Sequence, residues 1–222
     1  MNQEQWTTVD RYFTDLLVAP DPLLDAALQA SVDAGLPAIH VAPNQGKLLQ
    51  LFARMIGAKK ILEIGTLGGY STIWMARALP AGGRLVTLEF DGKHAAVARS
   101  NIAHAGLAAV VEVRVGRALE TLPKLAAEGA GPFDLIFIDA DKVSTAEYFA
   151  WALKLARVGS LIIVDNVVRE GAVIDTASKD TGVQGIRRFN DALAVERRVS
   201  ATAFQTVGSK GYDGLAIALV IA

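Results

Sequence analysis

The chain has 222 residues, of which 52% are hydrophobic and 20% charged, and its formal net charge at pH 7 is −1. This length predicts one domain with a substantial core, while the balanced charge, without a basic stripe, argues against sequence-independent binding of nucleic acid. The chain has no cysteine, which excludes disulfides, thiolate metal sites and a cysteine nucleophile, and it has no membrane-length apolar run or signal-peptide pattern, so we expect a cytoplasmic protein.

The first 58 residues predict a helical cap, and residues 59–222 predict an α/β core that completes the single domain. Apolar residues recur at helical spacing in this cap. The predicted helices cover residues 6–17, 22–32 and 44–55. Asp21 is suited to cap the second helix and Pro22 to occupy its first turn. The third helix leads the chain into its first strand.

The core alternates strands and helices, which favours a parallel, doubly wound sheet. Strands are predicted at 61–64, 84–89, 110–115, 133–138 and 160–164, with helices at 70–79, 92–105, 118–127 and 145–157. After a helix at 182–197, two further strands at 199–204 and 215–221 are joined by a glycine-rich turn. That pattern predicts an antiparallel hairpin at the end of the chain. The prediction is an α/β fold with a seven-stranded, mostly parallel sheet.

A glycine turn follows the first strand, and its spacing differs from that of dinucleotide-binding folds. Gly65, Gly68 and Gly69 follow the pattern G-x-x-G-G rather than G-x-G-x-x-G. Glu63 precedes this turn, and its charge would repel a pyrophosphate but attract an ammonium or sulfonium group. S-adenosylmethionine is a ligand of that kind. The alternative is a turn that merely joins a strand to a helix.

Polar residues stand at the carboxyl ends of the predicted strands, where open α/β sheets bind their ligands. Glu89 ends the second strand and is suited to accept both hydroxyls of a ribose, although a solvated charge is the plain alternative. Asp139, Asp165 and Asn166 follow the fourth and fifth strands and offer oxygen ligands to Mg²⁺. A simple strand-ending turn at 165–166 is the alternative there. Lys142 is a candidate proton acceptor. The alternative is an ordinary surface lysine, which is far commoner.

The three histidines carry no predicted catalytic role. His94 and His104 fall on different faces of one predicted helix, and we expect both to be exposed to solvent. His40 precedes the third helix and is expected at the border of the pocket, with no acidic partner visible in the sequence. The absence of cysteine and of a histidine pair disfavours zinc at the predicted metal site.

These motifs together resemble the cation-dependent, S-adenosylmethionine-dependent O-methyltransferases, the group that includes catechol and caffeoyl-CoA O-methyltransferases. The resemblance covers about residues 35–222, and its motifs lie at 41–49, 62–71, 133–142, 163–167 and 213–215. It implies a Rossmann-like methyltransferase fold whose last strand is antiparallel. It also implies a homodimer with the N-terminal helices at the interface.

Carried over by position, the resemblance implies a cofactor site made by Val41, Glu63, Gly65, Thr66, Ser71, Glu89, Ala118, Asp139 and Asp141. Within it, Glu89 takes the ribose, Ala118 lies by the adenine and Asp141 approaches the amino group. Asp139, Asp165 and Asn166 are implied as the metal ligands, and Lys142 as the base. Two departures from the family pattern are Glu89, in place of a commoner aspartate, and Arg117, an unusual residue beside Ala118 at the implied adenine contact.

The implied activity is Mg²⁺-dependent methylation of a catechol-like small phenolic acceptor. The segment 167–181, with Arg169, and Tyr212 are implied as the acceptor wall. Two alternatives stay open: methylation of a hydroxylated tRNA nucleoside, and a cofactor-binding module without catalytic activity. A nicotinamide-dependent dehydrogenase is a weaker alternative because of the glycine spacing.

Overall fold

Seven strands form one sheet in the computed structural model, which describes residues 2–222. The strands are β1 (Lys60–Ile64), β2 (Arg84–Glu89), β3 (Val111–Val115), β4 (Phe133–Ile138), β5 (Ala156–Asp165), β6 (Val199–Gly208) and β7 (Gly211–Val220). Their order in space is β3-β2-β1-β4-β5-β7-β6. β1 to β5 pair in parallel, and β7 runs antiparallel between β5 and β6. The predicted fold class is therefore confirmed.

Eight α-helices surround this sheet within residues 2–222. They are α1 (Gln3–Leu17), α2 (Pro22–Asp33), α3 (Pro43–Met55), α4 (Tyr70–Ala76), α5 (Gly92–His104), α6 (Ala118–Ala127), α7 (Thr145–Leu155) and α8 (Thr181–Val195). A short 3₁₀ helix at Arg169–Ile174 follows β5. Asp21, Asp91 and Asp180 each accept backbone N–H bonds in the first turn of the helix that they precede. Such caps fix where a helix begins.

Alternate residues of the central strands supply two apolar cores, one on each face of the sheet. Ile136 faces a core that includes Phe149 of α7 and Phe189 of α8. Leu135 faces the other core, which includes Leu49 of α3 and Ile73 of α4. A strand covered on both faces needs apolar residues at every position, and β4 is buried throughout. The helices are thus packed on both sides, as the alternating pattern predicts.

The structure corrects the predicted ends of three strands. The last two strands continue their pairing to Gly208 and Gly211, so the turn contains only Ser209 and Lys210 rather than the whole segment 208–214. Pairing at the tip of an antiparallel ribbon needs no apolar side chains, which is why the composition did not indicate it. β5 also begins earlier than predicted, at Ala156, with an irregular register before it reaches the body of the sheet.

The parallel strands bring their carboxyl ends to one edge of the sheet, where the chain leaves β1, β2, β4 and β5 through short loops. Most of the predicted site residues lie in these loops or at the strand ends beside them, so the topology gathers them at one edge. No helix within residues 2–222 has the length and apolar character needed to span a membrane.

Candidate active site

A cavity of about 760 Å³ opens at the carboxyl edge of the sheet. Most residues predicted for the site lie on its wall. They are Val41, Gly65, Thr66, Ser71, Glu89, Ala118, Asp139, Asp141, Lys142 and Asn166. Glu63 and Asp165 are not part of the wall. The structure therefore brings the predicted cofactor, base and metal residues around one space, with two of them set behind it.

The glycine turn lets β1 pass close to the end of β4. Gly65 has a φ of +99°, and a Cβ added there would lie 1.9 Å from the carbonyl oxygen of Asp139. A side chain at this position is thus excluded by both conformation and space. Gly69, with a φ of +83°, precedes the first turn of α4. The turn keeps the backbone of Thr66 open to the cavity.

Glu63 lies behind the cavity wall rather than on it. Its carboxylate is fully buried and accepts hydrogen bonds from Ser71 Oγ at 2.5 Å, Thr72 Oγ1 at 2.5 Å and Thr87 Oγ1 at 2.7 Å. Burial raises the pKa of Glu63 to about 7, although these three hydrogen bonds oppose the rise. The expected direct attraction to a cationic ligand is therefore corrected: Ser71 faces the cavity, and Glu63 orients it.

Glu89 ties β2 to the glycine turn. Its Oε2 accepts the backbone N–H groups of Thr66 at 3.1 Å and Leu67 at 2.8 Å, and its Oε1 accepts that of Asp91 at 2.9 Å. These bonds hold the carboxylate at the edge of the cavity. A carboxylate has about four acceptor positions, and these three bonds leave about one of them for a ligand hydroxyl.

His94 is half-buried and lines the cavity, which contradicts its predicted exposure to solvent. Its Nδ1 lies 3.6 Å from Oε1 of Glu89. The reason is the cap at Asp91, which turns the first residues of α5 back over the end of β2. His104, at the far end of α5, is exposed as predicted.

Phe90 and Arg117 form a flat part of the cavity wall that the sequence did not single out as a unit. The guanidinium carbon of Arg117 lies 5.5 Å from the centroid of the Phe90 ring, within cation–π distance. Both residues lie beside Ala118 on the wall. The available signal was an aromatic residue directly after Glu89, where a polar residue is usual at a strand end.

Two carboxylates after β4 hold different partners. Asp139 Oδ1 accepts a hydrogen bond from Lys142 Nζ at 2.7 Å, which fixes the lysine at the cavity. Asp141 accepts the backbone N–H of Ser144 at 3.0 Å and the hydroxyl of Tyr148. Burial, and then the hydrogen bond to Asp141, raises the pKa of Tyr148. The tyrosine therefore stays a neutral donor that positions Asp141.

Asp165 and Asn166 lie next to Asp139, as predicted for neighbouring strands. Burial, and then the negative charge of Asp139, raises the pKa of Asp165 to about 7. Asn166 has a φ of +60°, an uncommon backbone conformation for a residue other than glycine. Such strain is concentrated at functional sites. Within residues 2–222, no three His, Asp or Glu side chains converge on one point, so this set has two carboxylates and one amide.

Gln45 is a further residue of this region for which the sequence indicated no role. Its Nε2 donates a hydrogen bond to Oδ2 of Asp165 at 2.6 Å from the first turn of α3. The backbone N–H of Asn166 donates to Oδ1 at 2.7 Å. Only the three-dimensional fold brings residue 45 to residue 165. The one indication of a role that the sequence offered was the position of Gln45 within the motif 41–49.

Residues near the proposed acceptor wall differ in their contact with the cavity. His40 and Arg169 line it, whereas Tyr212 does not and instead donates its hydroxyl to Gln205. His40 Nε2 lies 3.2 Å from Lys210 Nζ at the tip of the β6–β7 hairpin. Burial, and then the charge of Lys210, lowers the pKa of His40.

Comparisons with known proteins identify relatives over nearly the whole chain. A family model described as O-methyltransferase matches residues 18–219. A protein of Niastella koreensis named catechol O-methyltransferase is 57% identical over 220 residues, covering 99% of this chain and 100% of that protein. A protein of the same name from Mycobacterium tuberculosis is 52% identical over 212 residues, covering 96% of this chain and 94% of that protein.

Solved structures agree with this assignment. An O-methyltransferase from Bacillus cereus in complex with SAH is 59% identical, with a TM-score of 0.97 and coverage of 99% of this chain and 100% of that chain. The O-methyltransferase TomG from Streptomyces achromogenes, in complex with SAM, is 54% identical, with a TM-score of 0.97 and full coverage of both chains, 100% each. The chain therefore belongs to this family of S-adenosylmethionine-dependent O-methyltransferases.

Proposed function

We propose that the protein transfers the methyl group of S-adenosylmethionine to a hydroxyl of a catechol-like phenol, with a divalent cation such as Mg²⁺ bound beside the acceptor. One observation carries the proposal. A single cavity holds the glycine turn and Glu89 on one side and Asp139, Lys142 and Asn166 on the other. The names of the relatives at 57% and 52% identity support a catechol as acceptor.

The proposed cofactor contacts follow from the wall of the cavity. Thr66 and Ser71 face the methionine part, with Val41 on the same side and Glu63 behind Ser71. Glu89 accepts the ribose hydroxyls. Ala118 lies by the adenine, and Asp141, oriented by Tyr148, accepts the amino group. Gly65 lies on the same wall, and because it has no Cβ its backbone can pass against that of Asp139.

The residues after β4 and β5 fit a hard cation. Asp139, Asp165 and Asn166 supply oxygen donors, the kind that Mg²⁺ prefers, and water or acceptor oxygens complete such a site. Burial, and then the negative charge of Asp139, raises the pKa of Asp165 to about 7, and a bound divalent cation would offset the repulsion between the two carboxylates. Gln45 holds Asp165 in place from behind.

Lys142 is the proposed base. The sulfonium of the methyl donor makes its methyl carbon electrophilic, and a bound cation lowers the pKa of a hydroxyl that it contacts. Lys142 Nζ lies 2.7 Å from Asp139 Oδ1 as an ion pair, and only its neutral form, which the charge of a bound cation would favour, would take the hydroxyl proton. The acceptor oxygen then forms its bond to the methyl carbon as the carbon–sulfur bond breaks. The remaining wall residues align the two reactants, which lowers the entropic part of the barrier.

A test compares a catechol with a phenol that has one hydroxyl, each with labelled S-adenosylmethionine, with Mg²⁺ or with excess chelator. We expect label in the catechol only when Mg²⁺ is present, and the Asp165→Ala variant should bind S-adenosylhomocysteine yet lose this activity. Full activity in chelator would refute the cation. Bulk tRNA included as a third acceptor distinguishes a nucleoside methyltransferase, which would label tRNA instead of the catechol.

A further inference from the structure

Arg169 is a cavity-lining cation whose side chain forms no hydrogen bond or ion pair with any of the described residues, 2–222. It is half-buried and lies on the wall of the large cavity, together with Lys142 and Asn166. Within residues 2–222, its only donated hydrogen bond comes from its backbone N–H, and its Nε is buried with no partner. Buried charged groups are normally paired, because an unpaired one loses its hydration without compensation. The guanidinium thus has donors to spare for a ligand.

The backbone around Arg169 fixes the direction of its side chain. The residue has a φ of +54°, in the left-handed region. Oδ1 of Asp213 accepts the backbone N–H groups of Val168 at 2.9 Å and Arg169 at 3.0 Å, so β7 holds this loop against the site. A strained conformation held by two hydrogen bonds is maintained by the surrounding fold. The loop therefore fixes the backbone from which the Arg169 side chain extends.

Arg169 approaches the proposed base at the start of α8. A methyl group built on Gly182 would lie 3.5 Å from Cβ of Lys142 and 3.9 Å from Nη2 of Arg169. Arg169 also lines a second cavity of about 380 Å³, which lies on its other side. Its side chain consequently separates the reaction space from this smaller cavity. An acceptor ring held near Lys142 would direct a substituent towards Arg169.

The carboxylates of the second cavity are already committed to the backbone. Asp180 Oδ1 accepts the N–H groups of Gly182 at 2.7 Å and Val183 at 3.1 Å as the cap of α8. Asp213 Oδ1 accepts backbone N–H groups of the loop. Glu170 is exposed to solvent. None of these lies within ion-pair distance of Arg169, although its charge acts on nearby Asp180, so its guanidinium is open to an anion that enters the cavity.

We propose that Arg169 determines acceptor specificity, and that the preferred acceptor is a catechol that carries a carboxylate. The inference rests on the proposed function, since it assigns the substrate class of that same site. A guanidinium binds a carboxylate through two parallel N–H bonds, a geometry that a neutral ester cannot match. The ring hydroxyls face Lys142 while the carboxylate meets Arg169.

The test uses 3,4-dihydroxybenzoate and its methyl ester, which share the catechol and differ in charge. For the native enzyme we expect kcat/KM to be about tenfold higher for the acid, as for the loss of one charge-assisted hydrogen bond. Arg169→Gln should raise the KM of the acid, which brings the ratio of kcat/KM for the two substrates close to one. Arg169→Lys should give an intermediate ratio, because it keeps the charge without the planar fork.

Arg54→Gln serves as the matched control, because it removes the same charge from the exposed end of α3, and it should keep the native ratio. Binding of S-adenosylhomocysteine, measured by calorimetry, verifies that each variant is folded. A native ratio near one, or an unchanged ratio in Arg169→Gln, overturns the role of Arg169 while the proposed function stands. Failure of both acceptors to be methylated overturns the proposed function, and the assignment of Arg169 with it.

Discussion

Glu63 and Asp165 are both buried carboxylates with a pKa raised to about 7, yet their neighbours differ in kind. Glu63 accepts bonds from three hydroxyls, which can rotate to suit either protonation state. Asp165 instead faces another carboxylate, Asp139, and accepts two N–H donors, from the Gln45 amide and the Asn166 backbone. Glu63 is therefore satisfied within the protein, whereas the pair after β4 and β5 gains from a bound cation.

Glu63 makes the stability of the fold depend on pH. Because its pKa is raised from 4.5 to about 7 in the folded state, the folded protein binds a proton that the unfolded chain releases. This contribution to stability is fully present below pH 4.5 and is lost as the pH rises through 7. As the pH rises through this range, we expect the free energy of unfolding of Glu63→Gln to fall by roughly 3 kcal/mol less than that of the native protein.

The measurement is the free energy of unfolding by urea at several pH values between 5 and 8, for the native protein and for Glu63→Gln. Glu4→Gln is the control, because Glu4 is exposed on α1 and its replacement should leave the native slope unchanged. Equal slopes for the native protein and the Glu63→Gln variant would contradict the assignment.

Lys142 should affect the chemical step without affecting cofactor binding. We expect Lys142→Met to lower kcat by about 10² to 10⁴, the usual contribution of a general base. Raising the pH should restore part of the activity, because the acceptor then ionises in solution. Rapid-quench kinetics with a catechol measure the step, and exposed Lys124→Met is the control. A kcat within twofold of the native value would remove Lys142 from the mechanism.

At the scale of elements, the junction of β1 and α4 depends on one glycine. Gly65 lies where the backbone of the turn crosses Asp139, so the methyl-donor side and the cation side of the cavity share this contact. Interiors are close-packed, and a shift at such a crossing displaces both sides. The turn thus couples cofactor binding to the geometry after β4.

Gly65→Ala should lower the free energy of unfolding by about 3 kcal/mol, because a left-handed conformation and a backbone clash are both imposed. Gly82→Ala is the matched control: its φ is +79°, but no atom lies within 4 Å of an added Cβ, so only the conformational cost of about 1 kcal/mol applies. Urea unfolding and calorimetric binding of S-adenosylhomocysteine measure both effects. Native-like binding by Gly65→Ala would refute the coupling.

At the scale of the whole molecule, α1 presents an apolar face to solvent. Its exposed large side chains are Val9, Tyr12, Phe13, Leu16 and Leu17, and none of its residues is fully buried. Exposed contiguous apolar surface of this kind marks protein interfaces. We propose that residues 1–58 form a cap on the core 59–222 and that this face joins two copies of the chain into a homodimer.

Replacing both Tyr12 and Leu16 with glutamate should therefore produce monomers, because four charges would meet in an apolar interface. Sedimentation velocity at micromolar concentration measures the assembly. Arg11→Glu alters an exposed polar residue of the same helix and should remain dimeric. A native protein that sediments as a monomer would exclude the dimer outright.

Particular residues show which features of the site could be predicted from the sequence and which could not. The strand ends at Glu89 and Asp139 were predictable, because buried apolar runs end abruptly at charged residues. The position of His94 was not, since the cap at Asp91 turned the helix towards the cavity. The contact of Gln45 with Asp165 was also inaccessible, because 120 residues separate the two along the chain.

Local sequence patterns were enough to predict the succession of strands and helices along the chain, the glycine turn and the polar strand ends. These features follow from hydrophobic periodicity and from residue types that favour particular backbone conformations. The tertiary structure alone decided which groups meet. It placed Glu63 behind Ser71, brought α3 to Asp165 and left Arg169 without a partner beside Lys142. Such outcomes depend on the crossing of distant segments, and local propensity carries no information about those distances.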